Sequence, residues 1–200
     1  MMTTTSLSKG DEFVIGNPGS ANIATVSVGL GWDVSKIRSK GLFGIGAGEK
    51  DAAVDLDASC ILFDGNKKMT DQVSFQQLKT NCGSVEHTGD NRTGDAPGAD
   101  EVINVNLSKI PDTVEALVFT ANCFSELSFD QISAAFITIF DTVNNSEIAR
   151  FDLTMDGGDH TGLIIGKLSR ADQGWVFQAI ENFEDGHTYV KLIPAIEKLL

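Results

Sequence analysis

Carboxylate and amide side chains are concentrated in one glycine-rich stretch, residues 89–101, which reads GDNRTGDAPGADE. Its side-chain oxygen donors are Asp90, Asn91, Asp95, Asp100 and Glu101. A loop with so few apolar side chains gains little from packing, so it is either mobile or ordered by a bound cation. Ca²⁺ takes roughly 6–8 oxygen ligands from carboxylates, amides and backbone carbonyls. We therefore predict that Ca²⁺ orders this loop.

Two further carboxylates, Asp55 and Asp57, stand two positions apart in the stretch VDLDASC at residues 54–60. Alternate residues of a β-strand share a face, so both carboxylates are predicted on the face opposite Leu56. At a separation of roughly 7 Å they repel by about 2 kcal/mol at an effective dielectric of about 20. A solvated strand face tolerates such a pair, but a divalent cation turns the repulsion into attraction. The pair is therefore the second candidate part of a Ca²⁺ site.

Other kinds of site fit the sequence less well. An EF-hand fails because Cys60 occupies the position of the turn glycine and residues 61–63 continue an apolar strand. The glycine-rich stretch 44–48 lacks the G-x-x-x-x-G-K-[ST] pattern of a phosphate-binding loop. The sequence has no G-x-S-x-G motif, and no cysteine has a nearby histidine. We therefore expect a non-enzymatic protein, with metal-activated water as the less favoured alternative.

Composition indicates a soluble cytoplasmic protein. The chain has 200 residues, with 15 basic against 28 acidic side chains and a formal net charge of −13. Nucleic acids and anionic membrane surfaces bind positive protein surfaces, so neither is expected as a partner. No apolar run approaches the roughly 20 residues of a membrane-spanning helix, so no membrane insertion is expected. Three isolated cysteines, Cys60, Cys82 and Cys123, indicate reduced thiols in the cytosol.

Turn residues divide the chain into many short β-branched or alternating segments. This pattern favours an all-β fold, a two-sheet antiparallel β-sandwich with a few short helical turns. Strands are predicted over residues 54–63, 73–78, 102–107 and 114–123. A short C-terminal helix is predicted over residues 193–200, with Pro194 near its first turn. We expect one domain spanning residues 1–200, with residues 36–50 as a flexible inserted loop.

Several segments occur in an order typical of one known family. They are SLSKG at residues 6–10, VGLGWD at 28–33, DLDAS at 55–59, GSVEHTGDNRTG at 83–94 and ARFDL at 149–153. Together they resemble the TerD family of tellurite-resistance and stress-response proteins, over essentially the whole chain. The resemblance implies a β-sandwich of the bacterial cytoplasm that binds Ca²⁺ through clustered acidic loops and has no established catalytic activity.

The resemblance also implies which residues bind the ion. The residues that match acidic positions of the family are Asp33, Asp55, Asp57, Asp90, Asn91, Asp100 and Glu101. Asp55 and Asp57 are expected to form a platform, over which the loop closes with Asp95 among its ligands, and Asp33 is expected to complete the shell. Pro97 and Ala99 replace two acids that the family usually carries here. One Ca²⁺ ion is therefore expected, and a second stays open.

Two expectations about partners rest on the resemblance alone. An ion-ordered acidic surface is expected to recognise another protein of the stress system at the inner face of the membrane. The alternative is a small-ligand or cyclic-nucleotide-binding module, because some members of the family are described as cyclic-nucleotide binders. Arg92, the single cation of the acidic loop, would then meet a phosphate instead of pairing with a neighbouring carboxylate.

Overall fold

A computed structural model describes residues 4–15, 24–32, 55–90, 98–124, 128–129, 132, 134–144, 146–153, 158–172 and 174–200. The predicted inserted loop at 36–50 lies outside these ranges. Within them the chain forms twelve strands and one α-helix. These are β1 (Thr5–Leu7), β2 (Glu12–Ile15), β3 (Thr25–Trp32), β4 (Leu56–Asp64), β5 (Met69–Val73), β6 (Val85–His87), β7 (Glu101–Asn106), β8 (Val114–Cys123), β9 (Ala135–Asp141), β10 (Ser146–Asp152), β11 (Gly162–Ala171), β12 (Gly174–Glu184) and α1 (Tyr189–Leu199).

The strands form two six-stranded sheets in the described part of the chain. Sheet I has the order β1-β10-β9-β3-β7-β6, and sheet II has the order β2-β12-β11-β8-β4-β5. The strand pairs are antiparallel except for β1 and β10, which run parallel. The predicted all-β, two-sheet sandwich is therefore confirmed.

Strand β4 shows how period-2 alternation builds the core. Leu56 and Cys60 belong to the main hydrophobic cluster of the sandwich. On the opposite face, Ile61 belongs to a second cluster that includes Leu192 of α1. The outer face of β4 is therefore covered by the helix in its second half. In its first half the same face carries Asp57, which places a carboxylate on a buried strand.

The strand predicted over residues 73–78 is wrong, because β5 covers Met69–Val73. After Val73 the chain turns, and Ser74 and Gln77 exchange backbone hydrogen bonds of 3.0 Å. β5 lies at the edge of sheet II, and its first two side chains are exposed. An exposed edge strand needs few apolar residues, so its sequence carries a weak alternating signal.

The C-terminal helix begins at Tyr189, not at residue 193, and Pro194 lies inside it. Pro194 has no N–H to donate to the carbonyl one turn earlier, which weakens the helix locally. Packing compensates, since Leu192 and Ile196 are fully buried against sheet II. In the ranges described above, no helix is both long and apolar enough to cross a membrane.

Strands β1 and β2 are neighbours in sequence but lie at the edges of different sheets. β1 pairs with β10 in sheet I, and β2 pairs with β12 in sheet II. In the turn between them the Ser8 N–H donates to Asp11 Oδ2 at 2.8 Å, and the Gly10 N–H donates to the Ala179 carbonyl at 2.8 Å. The segment thus covers one edge of each sheet.

Candidate metal centre

Three carboxylates meet where sheets I and II approach each other beside β4. Asp55 precedes β4, Asp57 lies on it, and Asp90 follows β6 of the other sheet. Each offers an oxygen atom, and these atoms all lie within 4.8 Å of one another. Residues widely separated in sequence therefore form one acidic cluster, which we call the carboxylate triad.

Asp57 is the most deeply placed member of the triad, with a relative exposure of 7%. Burial raises the pKa of Asp57 to about 7, and repulsion by Glu101, Asp55 and Asp90 adds to the effect. His87 opposes the increase in pKa. Burial and repulsion both favour the neutral form of Asp57. Three charged carboxylates without a counterion are therefore unfavourable at this site, and a cation between them is favourable.

Glu101 supports the strand that carries the triad. Its carboxylate is fully buried and accepts the Ala58 N–H at 2.6 Å. β5 pairs with β4 only from Cys60 onward, so the end of β4 near Ala58 lacks a strand neighbour on that side. Glu101 supplies the missing acceptor from β7 of sheet I, and so fixes the backbone between Asp57 and Ser59.

His87 is the second hydrogen-bond partner of the Glu101 carboxylate. The Gly89 N–H donates to His87 Nδ1 at 3.1 Å, so the ring proton lies on Nε2, which donates to Glu101 Oε2 at 3.3 Å. The bond to Gly89 also fixes the direction in which the chain leaves β6 towards Asp90. His87 was not among the residues predicted from the sequence to form the site; the signal for its burial was the alternation of Val85 and His87 with exposed Glu86.

Asp100 forms two hydrogen bonds with the backbone at the end of β3. Its Oδ2 accepts the Trp32 N–H at 3.0 Å, and its own N–H donates to the Leu30 carbonyl at 2.8 Å. Of the predicted ligands, the structure brings together Asp55, Asp57 and Asp90, while Asp100 and Glu101 accept backbone hydrogen bonds. Asp33, Asn91 and Asp95 lie outside the described residues, as does Arg92.

The donor set of the triad fits a hard cation. Carboxylate oxygen is the ligand that Ca²⁺ and Mg²⁺ prefer, whereas zinc and copper select nitrogen and sulfur. Three carboxylates supply at most about six oxygens, in the range that one Ca²⁺ ion takes. Ala99, where the family resemblance led us to expect an acid, packs closely over Gly29 of β3. It contributes packing there and no oxygen ligand from its side chain.

The TerD domain matches residues 2–188 of this chain. The tellurium resistance protein TerZ of Serratia marcescens is 43% identical over 169 residues, which cover 84% of this chain and 85% of that protein. The tellurium resistance protein TerD of Alcaligenes sp is 35% identical, covering 88% of each chain. The stress response protein SCP2 of Bacillus subtilis is 36% identical, covering 88% of this chain and 90% of that protein.

The fold is also similar to that of solved structures. A homologue of telluride resistance protein (TerD) from Streptomyces coelicolor has a TM-score of 0.65 at 14% identity, covering 87% of this chain and 97% of that chain. A protein of unknown function has a TM-score of 0.64 at 19% identity. The domain match over residues 2–188 and the identities above 30% together identify this chain as a member of the TerD family.

Proposed function

We propose that this chain is a Ca²⁺-binding, non-enzymatic protein of a tellurium resistance or stress response system. The observation that carries the proposal is the convergence of Asp55, Asp57 and Asp90, whose oxygens lie within 4.8 Å of one another. At that distance two carboxylates repel by about 3 kcal/mol at an effective dielectric of about 20. A divalent cation removes this repulsion, so binding of the ion and stability of the fold are coupled.

The non-enzymatic role is supported by the surroundings of the triad. Glu101 is the carboxylate beside it that could serve as a general base towards a metal-bound water. Its oxygen already accepts the Ala58 N–H and faces His87 Nε2, and its side chain is fully buried. A base held in this way is poorly placed to take up a proton from water. We therefore assign Glu101 to holding β4 in place.

Titration of metal-stripped protein with Ca²⁺ and Mg²⁺ tests the proposal, by calorimetry and by melting temperature in parallel. We expect Ca²⁺ to release or absorb heat and to raise Tm, since a ligand at 100 times its Kd stabilises by about 2.7 kcal/mol. Mg²⁺ should bind more weakly, because it demands near-octahedral geometry and dehydrates reluctantly. Absence of both heat and Tm change at millimolar Ca²⁺ would refute the metal centre.

Ca²⁺ affinity should depend on pH through Asp57. Burial and neighbouring carboxylates raise its pKa to about 7, so below that pH the ion must displace a proton. Apparent affinity should fall about tenfold per pH unit below 7 and level off above it.

In metal-free protein the folded state binds the extra proton between about pH 4 and 7, so the free energy of unfolding should decrease as pH rises through that window. Calorimetry and urea denaturation across this range measure both trends; a flat affinity profile would contradict the assignment.

The bound ion is proposed to order an acidic surface that recognises another protein. Asp90 follows β6, directly after the Gly89–His87 hydrogen bond. An ion held by Asp90 together with Asp55 and Asp57 therefore connects the two sheets at this point. The relatives named as tellurium resistance and stress response proteins support a role in such a system. We place the protein in the cytoplasm, with a protein partner at the inner face of the membrane and no nucleic acid partner, given its net charge of −13.

A further inference from the structure

A cavity of about 310 Å³ opens on the outer face of sheet II and shares Asp57 with the carboxylate triad. Its floor is formed by β4 and β8, and its walls by the turn after β5 and the first turn of α1. The lining includes Asp57, Ser59, Phe75, Asn122, His187 and Tyr189. Its volume lies at the lower end of ligand pockets, which measure roughly 300–1,000 Å³.

The floor of this cavity carries a buried acceptor that lacks a hydrogen bond. Asn122 is 1% exposed, and its Oδ1 has no hydrogen-bond partner in the described part of the chain. Its Nδ2 donates to the Gly186 carbonyl, at 2.6 Å, on the side of Gly162 in β11. Oδ1 therefore points to the opposite side, towards its cross-strand neighbour Asp57. An unmet buried acceptor destabilises the protein, and a hydrogen bond from a ligand donor would remove that cost.

The wall formed by α1 provides donors. Thr188 precedes the helix, lines the cavity and makes no side-chain capping hydrogen bond. The first-turn N–H groups of a helix have no intrahelical partner, so those of Tyr189 and Val190 are available to a ligand oxygen. His187 is oriented by donation from Nδ1 to the Cys123 carbonyl at 2.9 Å, which leaves Nε2 as an acceptor in the neutral ring.

One side of the cavity is apolar. Phe75 lies there and packs edge-on against Phe124, with ring centroids 5.6 Å apart. The Tyr189 ring and Val190 extend the apolar surface. A ligand that fits must therefore combine a C–H face with groups that both donate and accept hydrogen bonds.

These contacts decide the class of ligand. An anion is disfavoured because no lysine or arginine is among the described lining residues and Asp57 faces the cavity. A cation would compete with the metal ion for Asp57. Hydroxyl groups both donate to Asn122 Oδ1 and accept from the α1 N–H groups. We propose that this cavity binds a small neutral polyol, a molecule of monosaccharide size with adjacent hydroxyl groups.

NMR spectroscopy of the isotope-labelled full chain tests this proposal, with glycerol, ribose and glucose as probes at millimolar concentrations. Ethylammonium and acetate serve as charged probes, and each titration is run with Ca²⁺ and with chelator. We expect at least one of the polyols to shift the Asn122 side-chain amide and the Tyr189 and Val190 N–H signals. Signals uniformly unchanged with every polyol, or shifts only with a charged probe, would overturn the proposal.

Two tryptophan variants locate the binding. Val190→Trp places a bulky ring at the cavity from a side chain that is 58% exposed, so folding is expected to survive. Val143→Trp is the matched control, at a 69% exposed turn position remote from the cavity. Polyol affinity should fall at least tenfold in Val190→Trp and stay unchanged in Val143→Trp; equal affinity in both would refute the site. Ca²⁺ titration of the same samples reports separately on the metal centre, so either proposal can fail alone.

Discussion

Asp57→Asn should abolish the Ca²⁺ response of this protein. The substitution keeps the shape of the side chain and removes its charge from the most buried position of the triad. We expect no calorimetric heat and no rise in Tm at Ca²⁺ concentrations that stabilise the wild type by about 2.7 kcal/mol, the gain at 100 times Kd. The metal-free variant should also be at least as stable as the metal-free wild type at pH 8, because repulsion within the triad is lost.

Glu86→Gln is the matched control for this experiment. This substitution also removes one acid, four residues before Asp90, but the Glu86 side chain is 56% exposed and pairs with Lys79 at 3.0 Å. It faces away from the buried residues Val85 and His87. Its Ca²⁺ response should equal that of the wild type. A full Tm rise in Asp57→Asn would show that the ion binds without Asp57, and loss of the rise in Glu86→Gln would show that general surface charge binds it.

Glu101→Leu should cause the largest loss of stability, about 2–6 kcal/mol, because two buried donors lose their acceptor at a cost of about 1–3 kcal/mol each. The change leaves the Ala58 N–H and the His87 Nε2–H buried without their acceptor, since all three residues lie inside the protein. Glu101→Gln keeps an oxygen for Ala58 and should cost less, about 1–3 kcal/mol. Urea denaturation in chelator measures both losses without a contribution from metal binding.

A double-mutant cycle identifies the source of that loss. If Glu101 acts through His87, then His87→Leu should cost less in the Glu101→Leu background than in the wild type, with a coupling energy of about 0.5–3 kcal/mol. Glu86→Gln on the neighbouring strand position should change stability by less than about 0.5 kcal/mol. Additive losses from His87→Leu and Glu101→Leu would contradict a shared hydrogen-bond network.

Residue alternation and apolar runs predicted the strands that have one apolar and one polar face, or two apolar faces. The strand over residues 114–123 was predicted with the bounds of β8, because a long apolar run is bounded by turn residues. β5 was misplaced since its edge position removes the need for apolar residues. The start of α1 was missed because Tyr189 to Leu192 has a strand-like composition, and packing against sheet II decides its conformation.

The candidate site was predictable as far as its residues share one strand. Alternation alone put Asp57 on the face opposite Leu56 and Ala58, and the structure agrees. The meeting of Asp57 with Asp90 depends on how sheet I lies against sheet II, for which period-2 alternation gives no signal. The same holds for Glu101, whose bond to Ala58 spans the two sheets. Family resemblance supplied the grouping of Asp57 with Asp90, but it did not predict the hydrogen bond between Glu101 and Ala58.

The placement of β1 and β2 has a consequence for how the chain is made on the ribosome. Both strands are synthesised before every other described strand, yet their partners β10 and β12 come near the end. Translation proceeds at about 5–20 residues per second, so the early strands wait many seconds without partners. Until then the edges of both sheets stay open to pairing with other chains. Association between nascent chains is therefore expected to be greatest before β10 and β12 have emerged.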